Sequence, residues 1–499
     1  MQKKLGILFL VSVILSFFAG LYATRIVPSL KPDNPQDAFT YVTEFLKDHY
    51  LYELSDDDQH EAFVRSLEAM ISTYAERHND PYTRLVITPL NVSPSSDESF
   101  VGMGIRFYFE RNNLRIEDLV PGSSLLGLLI PGDLIVGVVE SGIPVYFNTL
   151  SSQTEVLTYL TGSQGSIKTL LVTTQDLNNL EVTFEFREIL TPTVYTKDLN
   201  EPNIAYIKIT QFSGGSNGST GTHILFDQIL RSLQQTILLN EPEQRTLILD
   251  LRDNPGGALS ALHNSGSGEL GIVQQLLPRN TDQILFSMVS ANGTIQRFYG
   301  QAATKPYQIK VLVNENSASA AEVLAAALNT AGGYQLYGMP TYGKGVFQNG
   351  ETILQDHVRN IRYSLSYTQG RWYYGDSLNV ETDPLQVELI PQLGIKNLSM
   401  PIYQGILIKD QVGISLSAYQ SFLNYYFQLE GVDALRTDGY FDQKTQDAFI
   451  LFQSQHDLTP TGSLNRETAM IIDNIYRAHV LDLSKDIQLQ SLINLIKSS

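Results

Sequence analysis

The spacing of apolar positions changes character three times along the chain. Near the start, Ala38, Val42, Phe45 and Leu46 recur at helical spacing, as do Phe63, Leu67, Met70 and Ile71, which predicts two helices. Asp56, Asp57 and Asp58 lie where the second helix begins, at the end whose dipole favours anions. Asp80-Pro81-Tyr82-Thr83 closes this block as a turn. Between residues 100 and 190 the pattern becomes one of short strands, at 104–109, 114–119, 134–139 and 170–173, with a single helix over 154–160. From Ala205 onward strand and helix alternate: strand 205–212, helix 222–239, strand 246–251, strand 309–313, helix 321–328. Such alternation predicts a layered α/β domain with parallel strands inside. Beyond Leu407 the chain reads as helical again, punctuated by Gly413, Gly431, Gly439 and Gly462.

Two stretches fall outside these patterns. Residues 5–23 carry no charge, Lys3 and Lys4 precede them and Arg25 follows. This reads as a secretory signal or an uncleaved anchor. The run is longer than the signal-peptide core of about 7–15 residues and has no clean small-x-small cleavage site, so an anchor is favoured. The two lysines put the rest of the chain outside the cytoplasm by the positive-inside rule. Pro28, Pro32 and Pro35 mark a linker after it, and Ser/Pro-rich 93–99 marks a second.

Composition narrows the function. A chain of 499 residues with 43% hydrophobic and 17% charged residues is globular and divides into about three domains. Its 52 acidic against 34 basic residues leave a net charge of −18, with no basic surplus to neutralise phosphates, so nucleic acid is excluded as the main partner. The absence of cysteine excludes disulfides, thiolate metal sites and a cysteine nucleophile.

Candidate chemistry sits in three segments. His-Glu-x-x-His, the phosphate-binding loop and Ser-x-x-Lys are all missing. Gly214-Gly215-Ser216-Asn217-Gly218 matches Gly-x-Ser-x-Gly, but it belongs to an extended Gly/Ser loop rather than a tight elbow, and reads as a loop over a site. In Val313-Asn314-Glu315-Asn316-Ser317-Ala318-Ser319-Ala320-Ala321-Glu322 a buried strand delivers a turn of small residues into a helix. A serine there is exposed at the strand end, and the following N–H groups at the positive helix end can face an oxyanion. Alone, this segment is better read as an ordinary helix cap. Leu251-Arg252-Asp253-Asn254-Pro255-Gly256-Gly257 ends a second buried strand in a turn whose glycines let backbone N–H groups approach a ligand. Tyr342-Gly343-Lys344-Gly345-Val346-Phe347-Gln348 sets one lysine among glycines and apolar neighbours, where desolvation favours the neutral amine that a base requires. All three in one chain outweigh the cap reading.

With these segments the sequence resembles the carboxy-terminal processing proteases, the S41 family of serine peptidases, over roughly residues 35–480. The resemblance implies Ser319 as nucleophile, Lys344 as general base and Gln348 as the residue orienting the lysine amine. Ala320 and either Gly256 or Gly257 would supply the oxyanion hole. It also implies a crotonase/ClpP-like layered α/β protease core within an α+β and α/β multidomain chain. Phe100-Val101-Gly102-Met103-Gly104-Ile105, Val120-Pro121-Gly122 and Pro131-Gly132-Asp133 resemble a PDZ domain. Backbone N–H groups of Gly102, Met103, Gly104 and Ile105 would cradle a terminal carboxylate there. Asp438-Gly439-Tyr440-Phe441-Asp442 with Phe452-Gln453 and Thr461-Gly462 is similar to a peptidoglycan-binding helical module, a surface that can alternatively dimerise.

The expected organisation is a signal or anchor at 1–30, a helical region at 31–95, the PDZ domain at 96–192 and the protease core at 193–405. The helical module follows at 410–480 and a C-terminal tail at 481–499. The expected partners are protein or peptide substrates held by their C-termini, then peptidoglycan or a second copy, with no nucleic acid; no metal or cofactor is implied. The expected activity is that of an exported serine endopeptidase, the alternative an inactive PDZ and cell-wall-binding scaffold. Relatives of this kind carry an arginine after the PDZ helix where this chain reads Tyr159-Leu160-Thr161-Gly162, with no cation before Lys168. Peptide occupancy is therefore expected to switch the protease weakly.

Overall fold

The computed structural model describes residues 55–90, 99–150, 153–190, 192–215, 221–264, 269–280, 283–375 and 377–498, together with 42 and 46. The apolar run 5–23 lies outside the described residues, as does most of the first expected helix. The same holds for Ser216 and its loop. The described chain forms two compact units, the first comprising the residues up to Ile87 with 350–354 and 362–367.

In the first unit, α1 (Asp56–Arg77) opens on a reciprocal cap. Ser55 Oγ accepts the Asp58 N–H at 3.1 Å and Asp58 Oδ2 accepts the Ser55 N–H at 2.9 Å, so Asp58 serves as a cap as well as a dipole partner. His60 Nε2 meets the Tyr363 hydroxyl at 2.7 Å, and Phe63 packs edge-on against the same ring. Strand β1 (Arg84–Pro89) follows.

The second unit begins with a small β-domain. Its strands are β2 (Ser99–Gly102), β3 (Ile105–Glu110), β4 (Asn113–Leu119), β5 (Leu134–Glu140) and β6 (Ile143–Tyr146), then, after helix α2 (Gln153–Tyr159), β7 (Ile167–Thr173), β8 (Asn179–Glu185) and β9 (Arg187–Leu190). The sheet runs β3-β4-β5-β7-β8 with β6 beside β5, while β2 pairs separately with β9. Alternate residues Leu114 and Ile116 of β4 point inward to meet Val138, Phe147 and Val156 in a core closed to solvent. Strand β3 pairs only with β4, so among the described residues its outer edge is open.

The main sheet is built from β10 (Val194–Thr196), β11 (Ile204–Ile209), β12 (Thr246–Asp250), β15 (Gln308–Val313), β16 (Leu336–Gly338) and β19 (Glu388–Leu389), in that order. Only the β10–β11 pair is antiparallel. Between them lie α3 (Thr222–Leu233), which continues as a π turn to Leu238, α4 (Ile272–Leu276), the hairpin β13 (Phe286–Ser290) and β14 (Ile295–Phe298), and α5 (Ala320–Thr330). Strands β17 (Val346–Asp356) and β18 (Ile361–Tyr374) precede β19. Successive side chains of a strand face opposite ways. Ile207, Leu249 and Val311 therefore meet α3 and α5 on one face, while Tyr206, Ile248 and Leu312 meet a different cluster on the other. Burial on both faces explains why all five residues of β12 are buried.

The far face is covered as well. Within the segment expected as a tail, 481–499, α9 (Ile487–Ser498) covers that face with Leu489, Leu492 and Ile493. Just before it, Asp486 accepts two bonds from Arg252, at 3.0 and 2.8 Å, and one from Lys396 at 2.7 Å. The helical period is present in these residues, but so short a stretch at the chain end shows nothing of what it covers. Ahead of α9, helices α6 (Leu416–Phe427), α7 (Gln443–Gln455) and α8 (Arg466–Leu481) enclose Phe422, Phe449, Phe452 and Ile472. Arg466 grips the buried Asp133 of the β-domain at 2.5 and 2.7 Å, and Arg477 reaches the Leu119 carbonyl at 2.8 Å, so α8 is docked on that domain.

Candidate active site

Strand β15 ends at Val313, and the chain turns before α5. Ala318 accepts the Ala321 N–H at 3.1 Å, closing a four-residue turn with Ser319 and Ala320 at its centre. Ser319 adopts φ 57° and ψ −119°, the first central position of a II′ turn, where glycine is the usual occupant. Backbone of this kind in a residue with a Cβ costs about 1–3 kcal/mol and is concentrated at functional sites.

The Pro-Gly-Gly turn after β12 is held against the serine turn. Asn254 O accepts the Ala318 N–H at 2.9 Å, and Ser317 Oγ donates to Leu251 O at 2.8 Å. A Cβ on Gly256 would fall 2.8 Å from that of Ser319, so no larger residue fits. Asp253 accepts from Asn314 at 2.8 Å and Asn316 at 3.0 Å. Burial works against the Asp253 charge, yet these amides hold its carboxyl below the usual range. The two glycines differ. The Gly256 N–H donates to Asn254 Oδ1 at 2.9 Å, while Gly257 is exposed and its N–H has no partner among the described residues. The Ala320 N–H, first in α5, is similarly unused.

The lysine segment joins the same place. Tyr342 donates its N–H to Ser317 O at 3.0 Å. Lys344 Nζ donates to Gln348 Oε1 at 2.6 Å, and Gln348 Nε2 reaches Thr368 Oγ1 at 3.3 Å. The chain's single tryptophan, Trp372, donates from Nε1 to Lys344 O at 2.8 Å, and Asn379 Nδ2 bonds Gly345 O at 3.0 Å. Glu322, fully buried in the first turn of α5, accepts N–H bonds from Ser319, Gly343 and Lys344. Sequence reasoning assigned no role to Glu322, Asn254, Trp372 or Asn379. Glu322 alone had a local signal, three residues beyond the serine at the capping-box position.

In the β-domain, the 102–105 turn carries Gly104 at φ 69°, with Gly104 O accepting the Val120 N–H and Ser123 Oγ donating to Met103 O. Met103 is buried, and Gly102 and Ile105 are half-buried. Lys168, the first cation after Thr161, bonds Tyr159 O at the end of α2 and pairs with Glu140 at 2.7 Å.

Residues 203–386 match the model of peptidase family S41, and residues 415–472 that of a putative peptidoglycan binding domain. The chain carries a family S41 peptidase domain. Carboxy-terminal processing protease CtpB of Bacillus subtilis (strain 168) is 25% identical over 92% of this chain and 89% of its own. A carboxyl-terminal-processing protease of Picosynechococcus sp. is 31% identical over 54% of this chain and 61% of its own. Among solved structures, a photosystem II D1 C-terminal processing protease covers 71% of this chain and 87% of its own, with 18% identity and a TM-score of 0.39. The matched S41 domain and the near-full-length relative together support a serine peptidase. Its architecture is mixed α/β and multidomain.

Proposed function

We propose that this peptidase cleaves proteins near their C-terminal tails through an acyl-enzyme on Ser319. Lys344 takes the serine proton as neutral amine and returns it to the leaving amine, and Gln348 orients the lysine. The N–H groups of Ala320 and Gly257 hold the oxyanion, because the Gly256 amide already serves Asn254. The observation that carries this reading is the meeting of three segments at one place, with Lys344 Nζ aimed at Gln348 Oε1 at 2.6 Å. The core is read as crotonase/ClpP-like and residues 96–192 as a PDZ domain. There a tail would add as a strand along the open edge of β3, its carboxylate on the N–H groups of residues 102–105. Export with an N-terminal anchor and wall contact through α6–α8 complete the proposal.

Its test compares the C-termini of proteins from cells carrying the parent enzyme with those from cells carrying Ser319→Ala. Tails shortened only with the parent enzyme support the reading. Identical C-termini in both, with the protein present and folded, would favour the inactive scaffold instead.

A further inference from the structure

A glutamate three residues into a helix ordinarily returns one bond to its own N-cap. Glu322 does this, accepting the Ser319 N–H on Oε2 at 2.8 Å, and then does more. The same Oε2 accepts the Lys344 N–H at 2.9 Å, and Oε1 accepts the Gly343 N–H at 2.6 Å. The last two donors lie 22 and 21 residues away, in a loop without regular structure. The helix has no need of them. Burying a carboxylate completely costs several kcal/mol unless it is well bonded. Three N–H donors and the positive end of α5 offset that cost here.

We propose that Glu322 is the positioning residue of the active site, fixing the backbone of the nucleophile and that of the base in one register. The inference rests on Ser319 and Lys344 acting as nucleophile and base. One carboxylate holds the strained Ser319 amide with one oxygen and spans the Gly343–Lys344 peptide with both. Where Lys344 Nζ sits relative to Ser319 Oγ is therefore set through Glu322. Glutamine fills the same volume but offers one acceptor and an NH₂ group. Its nitrogen must oppose either the Gly343 N–H or the pair from Ser319 and Lys344. Aspartate keeps the charge but is too short to span both segments.

The experiment measures kcat and KM for a tailed, unfolded protein with Glu322→Gln, Glu322→Asp and Ser319→Ala. Amide hydrogen exchange over residues 342–345 is followed alongside. A small displacement of reacting groups costs about 10²-fold in rate. Both Glu322 variants should lose kcat on that scale with KM little changed, and the Gly343 and Lys344 amides should lose protection while the core keeps it. An inactive Ser319→Ala beside a Glu322→Gln with parental kcat would overturn the role of Glu322 alone. An active Ser319→Ala would overturn the assignment of the nucleophile, and the proposal with it. Should neither Glu322 variant fold, the parent protein still decides. Protected Gly343 and Lys344 amides support the clamp, and exchange as fast as in an exposed loop refutes it.

Discussion

Ending the chain at Asp482 removes α9, and the magnitude follows from what that helix covers. Leu489 and Leu492 are 0% exposed and Ile493 2%, and each such side chain contributes about 1.5–3 kcal/mol by burial. Three of them give about 5–9 kcal/mol, an upper figure because the unfolded chain is itself partly compact. The loss also bares Tyr206, Ile248 and Leu312 and leaves Arg252 with Asp250 but without Asp486. Whole domains are stable by about 5–15 kcal/mol, so the truncated core should not fold cooperatively. Leu492→Ala isolates part of this effect at about 2–5 kcal/mol. Leu495→Ala, at a side chain 39% exposed, should cost far less and serves as the control. Calorimetric melts of the three variants against the parent are the assay. A truncated chain that melts cooperatively with the parent protein, and remains active, would refute the view that α9 is a layer of the core.

Four further outcomes are expected. On the proposed role of Gln348, orienting the base without transferring the proton, Gln348→Ala should lower turnover about 10- to 100-fold; a loss as complete as for Ser319→Ala would assign it more. Asp486 is penalised by burial but held below the usual carboxylate range by Arg252 and Lys396. Its stabilisation is therefore full above the unfolded value of about 3.9 and is lost as pH falls through the lower folded value; acid melts should show Asp486→Asn flattening that limb. Burial raises Asp133 despite Arg466, so its sign is opposite: the parent gains stability as pH falls through the raised folded value, and Asp133→Asn, which lacks that gain, should melt further below the parent as mild acid is added. Because Lys168 is engaged by Tyr159 O and Glu140, a tail peptide added in trans should compete with substrate in turnover assays; strong stimulation would reveal a gate.

Much of the layered core was legible because its signals are local. The apolar runs of β12 and β15, and the small-residue turn into α5, are set by short-range sequence and predicted within a residue or two. The three chemical segments were recognisable one at a time, each ending a strand or lying between glycines. What joins them was not, because Glu322 binds across 21 and 22 residues and Arg252 bonds Asp486 across 234. The choice between Gly256 and Gly257 was likewise undecidable from a pair of identical letters. The proposed preference for Gly257 rests on the side chain of Asn254, which accepts the Gly256 N–H. Helix α9 was not legible because its apolar face is meaningful only beside the sheet it covers.

The most direct test of the account is the site and rate of covalent labelling by a serine-directed fluorophosphonate. It is followed by peptide mass spectrometry for the parent enzyme and for Lys344→Ala across neutral to alkaline pH. The account predicts a single adduct on Ser319, forming faster as pH rises while the lysine loses its proton, and forming far more slowly without Lys344. Labelling of another serine, or labelling of Ser319 at the parental rate in Lys344→Ala, would contradict it.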